Sequence, residues 1–226
     1  MRLIIILFIT LILTVSASWA QELKTPWIHT GLSMSAYSGE LSRYDQYGAM
    51  FHIGLLLNKN NKFNGNFNLG IGSVRGENRQ FRQFDNLDAI PNRYFKTNYL
   101  FLNYDLHYNI IKKEKLIVYI SQGIGLFRFT PKDEAGNELL DQTNTRNSDE
   151  TYNQLTLRLP TSVGAIYFLP NDWGVGLQTG LLNTMTNYID NISELGEGGN
   201  DNILEFRLAF YVPFNSSQKA RDSQDL

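Results

Sequence analysis

Residues able to do chemistry are few in this chain, and they lie in strand-like stretches. Only three histidines occur, His29, His52 and His107, and there is no cysteine. Disulfides, thiolate catalysis, cysteine-based metal sites and a lipid anchor on cysteine are therefore excluded. A hydrolase or acyltransferase site needs a base oriented beside a nucleophile or a carboxylate. His52 and His107 are the strand-central candidates for that base. His107 shares a parity with Asp105 but falls near a turn, and no serine or acid partner for His52 is evident from spacing. Hydrogen-bonded structural histidines are the simpler reading, so no catalytic residue is assigned. The charged and amide groups Asp105, Arg158, Gln178, Glu205 and Arg207 share an inward parity with His107. Buried charges must pair or be hydrogen-bonded. The expectation is a structural polar network in which Arg158 and Arg207 meet Glu205 and Asp105. No cofactor is implied. Aspartates and asparagines in the polar loops lack the D-x-D-x-D-G spacing of a calcium loop, and no metal site is assigned.

What must position these groups is a set of period-two segments. The longest runs from Gln154 to Ser193. Leu155, Leu157, Leu159, Val163, Ala165, Tyr167 and Leu169 alternate there with Gln154, Thr156, Arg158, Ser162 and Gly164. After Pro170-Asn171-Asp172, Trp173, Val175, Leu177 and Leu181 alternate with Gly174, Gly176, Gln178 and Gly180. Alternation of this kind is extended backbone with one apolar and one small or polar face. Two strands of about ten residues or more on a tight turn can cross a bilayer. The pattern recurs at Pro26–Tyr37, Ala49–Leu57, Phe63–Val74, Tyr94–Asn109, Leu116–Phe129 and Ile203–Phe214, which makes eight strands. Polar loops (38–48, 75–93, 130–151, 185–200) interleave with short turns (58–62, 110–115, 170–172). An all-β, eight-stranded antiparallel up-and-down transmembrane barrel is expected, with short periplasmic turns, long outer loops and both termini periplasmic.

The competing architecture is a soluble eight-stranded barrel with its apolar parity inside. A water-facing strand surface would carry Lys, Glu, Asp and Arg. Here the polar parity is mostly Asn, Ser, Gly and Gln, which suits a crowded barrel interior. Trp27, Tyr37, Phe63, Tyr94, Tyr108, Tyr167, Trp173 and Phe214 stand near strand ends, as interfacial girdles would. Arg128 falls on the lipid parity at the loop end of its strand, where a charge costs little.

Composition narrows the classes further. The chain has 226 residues, a formal charge of −2 and 42% hydrophobic residues, which fits one folded domain. No basic run suggests a nucleic-acid partner. Arg2, the apolar run Leu3–Val15 and the small-x-small site Ser18-Trp19-Ala20 read as a signal peptide. The expected organisation is a signal peptide over 1–20, a barrel over 21–214 and a polar tail over 215–226.

Four segments carry a resemblance. They are Ala36-Tyr37-Ser38-Gly39-Glu40-Leu41, Tyr119–Pro131, Leu159-Pro160 through Gly164, and Thr186-Asn187-Tyr188-Ile189-Asp190-Asn191-Ile192-Ser193. Together they resemble the Bacteroidota outer-membrane barrel family typified by the PorG component of the type IX secretion system. The last segment is similar to that family's T-D-Y-L-D-D-V-S motif. Gln178 and Leu182 stand where the family tends to have Glu and Arg, and Asn187 and Asn191 stand for Asp. The resemblance implies a non-enzymatic outer-membrane component that anchors periplasmic or outer-membrane subunits of a secretion assembly and does not itself form the translocating pore. A lipid-modifying enzyme and a surface adhesin or ligand-binding barrel are the alternatives.

Overall fold

The structure is a computed structural model. It describes residues 26–57, 61–81, 89–147, 149–196 and 198–214. The expected signal peptide, its cleavage site and the polar tail lie outside the described residues. Eight strands form one closed barrel in sequence order. They are β1 (Trp27–Ser38), β2 (Arg43–Leu56), β3 (Phe63–Glu77), β4 (Tyr94–Lys112), β5 (Leu116–Lys132), β6 (Leu155–Phe168), β7 (Gly174–Asn183) and β8 (Asn202–Pro213). Every neighbouring pair is antiparallel, and β1 closes on β8 through Trp27↔Pro213 to Ser38↔Asn202. The all-β up-and-down barrel read from the sequence is the fold observed.

Several strands run beyond the expected boundaries. β2 starts at Arg43, and β3, β4 and β5 extend to Glu77, Lys112 and Lys132. Past the apolar belt both faces of a strand become polar, so the alternation that marks its limits fades although the ladder continues. The first loop shrinks to residues 39–42. Inside β6, Pro160 has no N–H to give a ladder. The β5–β6 pairing skips from Gln122↔Thr161 to Gly125↔Arg158. The side chain of Gln122 fills the gap, its Nε2 donating to the Pro160 carbonyl at 3.1 Å.

The barrel is apolar outside and polar at its centre. Leu32 is 71% exposed and Leu177 64%, with Phe51, Ile71, Leu102 and Phe210 among the further large apolar side chains left open. Water would oppose so continuous an apolar surface, whereas hydrocarbon accepts it. That decides against the soluble barrel with its apolar parity inside. Phe63, Tyr167, Trp173 and Phe214 are exposed at the turn end, where a girdle belongs. Trp27 and Tyr37 are not girdle residues. Both are buried, Trp27 edge-on against Phe168 at 4.8 Å and Tyr37 edge-on against Phe95 at 4.7 Å. Ala36, on the outward parity, is also fully buried, a small side chain between Tyr47 and Leu204 just before the β1–β2 register shifts.

Candidate functional site

The lumen is layered. At the turn end, Trp27, Leu56, Ile117, Tyr119, Ile166, Phe168, Ala209 and Tyr211 form one apolar cluster. At the loop end a larger cluster includes Met50, Tyr99, Phe101, Phe127, Phe129 and Leu182, joined by loop residues Leu139, Ile189, Ile192 and Leu195. These inward aromatics arise because the polar parity of the strands is interrupted by large rings near their loop ends. Between the two clusters lies the polar centre.

Glu205 on β8 organises that centre. Its Oε2 accepts from Arg207 Nη2 at 2.6 Å and Nε at 3.1 Å, and its Oε1 from Arg158 Nη2 at 3.4 Å. The Arg158 guanidinium also lies 3.9 Å from the Phe101 ring centroid, so ring face and carboxylate share its charge. Asp105 does not join the arginines by hydrogen bond. Its carboxylate accepts from Asn103 Nδ2 at 2.6 Å and Asn68 Nδ2 at 2.7 Å. Gln178 accepts from the Tyr119 hydroxyl at 3.0 Å and donates to Ser162 at 2.9 Å. His107 stacks on Tyr119, ring centroids 4.1 Å apart. Of the six residues expected in one network, five fall into an ion triad, an amide-bound carboxylate and a hydroxyl–amide chain, and His107 meets them only by stacking on Tyr119.

Spacing along the chain shows no partner for His52, and the barrel supplies one. Its Nδ1 lies 3.2 Å from Ser33 Oγ. The pairing follows from the β1–β2 register, which sets Gly31 opposite His52. Counting residues along one strand cannot reveal it. Both side chains are buried, and the oxygens of nearby Glu205 are held by the two guanidiniums. This pair has hydrogen-bond geometry, with no carboxylate orienting the imidazole among the described residues.

The motif at 186–193 closes the loop end. Asn191 has a φ of 69°, a left-handed turn that asparagine tolerates. Its Oδ1 accepts from Arg146 Nη1 and from the Tyr152 hydroxyl at 3.1 Å, and its Nδ2 donates to Asn92 at 3.1 Å and Thr145 at 2.9 Å. Arg146 also donates to the carbonyls of Leu139 at 2.9 Å and Leu140 at 2.8 Å. Asn92 donates to the Asp190 carbonyl at 2.9 Å. One motif therefore ties the three long loops together. Asp190 and Asp201 are fully buried beneath it. Asp201 accepts from the Tyr37 hydroxyl at 2.7 Å and from the Ile189 amide at 2.8 Å. Asp190 Oδ1 accepts from the Ile192 amide at 2.9 Å. Burial raises both carboxyls, Asp190 to about 7 and Asp201 well above the ordinary range, with the Asp190 charge pushing Asp201 further. Of the other motif residues, Thr186 caps the turn through Oγ1 to the Tyr188 amide at 3.3 Å, and Tyr188 stacks on Tyr152 at 4.4 Å. The Ser193 carbonyl accepts from Gly196 at 3.0 Å, and Asn187 lies between Thr186 and Tyr188 on the same turn.

No family model matches the chain, and no curated protein does. Solved structures are similar. Neisserial surface protein A superposes with a TM-score of 0.52 at 12% identity, over 84% of this chain and 97% of that one. Ail, the attachment invasion locus protein of Yersinia pestis, in complex with the heparin analogue sucrose octasulfate, gives 0.47 at 13% identity, over 82% and 96%. The outer membrane enzyme PagL gives 0.39 at 13% identity, over 82% and 99%. The fold is that of the small eight-stranded outer-membrane barrels.

Proposed function

We propose that this chain is a non-enzymatic barrel of the outer membrane that anchors a type IX-like protein secretion assembly, with both termini and the three short turns on the periplasmic side. The observation that carries the non-conducting part is the sealed polar centre. The Arg158–Glu205–Arg207 triad sits between two aromatic layers, and Arg158 is 0% exposed. Eight strands leave room only for side chains, and here the side chains fill it. A barrel so filled acts through its surfaces. Its turn end offers short polar turns such as Lys113–Lys115, suited to contacts with periplasmic or outer-membrane subunits.

The resemblance at 186–193 supports the secretion assignment. In this chain the motif works as a keystone of the outer cap, a structural role that a rigid anchor would use. The test is genetic. Deleting the gene should abolish export of secreted proteins, and the wild-type chain and a His52→Ala variant should both restore it. Export that continues after deletion contradicts the proposal.

One observation favours a second reading, a surface-binding barrel. Tyr188 and Tyr152 form a stack that is partly open at the outer end and continues inward to Phe129 at 6.0 Å. Loss of binding to host surfaces in a Tyr188→Ala variant, with export unchanged, would select that reading.

A further inference from the structure

Along the chain no basic run exists, but strand pairing assembles one. Arg75 on β3 pairs with Lys96 on β4, and Lys96 pairs with Lys132 on β5. Directly opposed residues share a face, and these three lie on the outward parity of their strands. Adjacent strands are about 4.8 Å apart, so three cationic side chains stand within about 10 Å across the sheet. Two rungs below is the row Ser73–Asn98–Thr130, and two further is Ile71–Leu100–Arg128. Arg128 therefore lies level with the apolar belt, beneath the basic row and on the same face. Arg75, Lys96 and Arg128 are exposed and Lys132 is half-buried.

Neighbouring acids are engaged elsewhere. Glu77 and Glu134 both take Arg79, the latter at 2.6 Å. Glu138, bridged opposite Lys132, accepts from Gln154 at 3.4 Å. Among the described residues none of the four cations forms an ion pair. Below the row the outer wall is concave. Leu32, Phe51, Ile71 and Leu100 flank the small side chains of Ala49 and Ser73, with Arg128 and Thr130 at the rim.

We infer that this face of β3–β5 binds a phosphate-bearing lipid of the outer leaflet. The lipid's phosphate is held by Arg75, Lys96, Arg128 and Lys132, and its acyl chain lies in the groove beneath. Charge complementarity selects the headgroup. Pairing sets Arg128 deeper than its expected place at the strand's loop end, level with Ile71 and Leu100, where a charge is costly against hydrocarbon unless its side chain reaches up to an anion. The largely apolar groove below the Arg75–Lys96–Lys132 row, with Arg128 in its lining, selects an anion that carries a chain. The inference rests on the reading of this chain as an outer-membrane barrel with its long loops outside.

The test is native mass spectrometry of the full-length protein in mixed micelles containing phosphatidic acid and phosphatidylcholine of the same acyl chain. Folding of each variant is checked by heat-dependent gel mobility. The wild type should retain phosphatidic acid preferentially. The triple variant Arg75→Gln/Lys96→Gln/Arg128→Gln should lose that preference by about tenfold or more. Lys113→Gln/Lys115→Gln, at the opposite end, should keep it. Arg128→Lys, which retains the charge, should stay close to wild type. Equal retention of both lipids by the wild type, or equal loss in the turn-end variant, overturns the inference. Displacement of the lipid by millimolar inorganic phosphate also overturns it, because the surface would then serve a free anion. Retention of neither lipid overturns it as well, whereas partition of the folded protein into the aqueous phase without detergent would defeat the membrane reading on which the inference stands.

Discussion

The hydroxyl of Tyr37, at the end of the first strand, donates to Asp201 just before the last strand, at 2.7 Å. This contact joins the two strands that close the barrel and places a buried carboxyl under the cap at the loop end beside buried Asp190. Both carboxyls are raised by burial, Asp190 to about 7. A group whose folded pKa is raised favours the protonated folded state. Its stabilisation is complete below the ordinary aspartate range and is lost as pH rises through about 7. The urea midpoint of the folded barrel should therefore fall between pH 5 and pH 9. Asp190→Asn keeps an acceptor for the Ile192 amide and should flatten that dependence. A wild-type midpoint that rises over this range would contradict the account of the cap.

Asn191 serves four side-chain partners from two other loops. Asn191→Ala leaves the buried Arg146 short of one acceptor, and removing the partner of a buried charged donor costs roughly 1–3 kcal/mol. The turn also loses a residue suited to its positive φ. Protease cleavage in the loop over 184–201 should accelerate while the strands stay protected. Unchanged cleavage would mean that the motif does not hold the cap.

Glu205 is the counter-charge of both Arg158 and Arg207. Glu205→Gln strands two buried guanidiniums, and breaking a buried pair costs roughly 3–5 kcal/mol. The variant should fold poorly, read as loss of the heat-sensitive compact band. Arg158→Met/Glu205→Gln removes one charge of each sign, leaving Arg207 uncompensated, and should recover part of the loss. A fully stable Glu205→Gln barrel would contradict the triad.

The filled lumen makes a conductance prediction. In planar bilayers the wild-type barrel should show no steady channel activity. Tyr99→Ala/Phe127→Ala/Arg158→Ala removes the layer over the polar centre and should give brief openings. Steady wild-type conductance would show that the plugs move.

Strand number, order and facing were legible because a membrane barrel writes a period of two into every crossing and separates crossings by polar loops. Trp27 and Tyr37 show where that legibility stops. Both lie on the inward parity of β1, but their place near strand ends suggested a girdle, and only the closed barrel shows that they pack into the two ends of the lumen. Inward groups could be named from parity. The meeting of Arg158 and Arg207 with Glu205 was also legible from charge, but the partners of Asp105 and His52 were not, since Asn68–Asp105 and Ser33–His52 depend on register and on rotamers across strands. The basic row Arg75–Lys96–Lys132 escaped for the same reason. Its members are scattered along the chain and meet only through pairing.

The Ser33–His52 pair gives a check on the non-enzymatic reading. Ser33→Ala and His52→Ala should leave the mass spectrum of outer-membrane lipids unchanged. Altered acylation in both would favour a lipid-modifying enzyme.

The central claim is that this barrel anchors a secretion assembly from its turn end. Its most direct test is affinity capture of the full-length chain from gently solubilised native membranes, with the co-purified proteins identified. Secretion-machinery subunits should be recovered in near-stoichiometric amounts with the wild type and lost when Lys113, Glu114 and Lys115 are replaced by glycine and serine. A chain that comes out of those membranes without such subunits would contradict the claim.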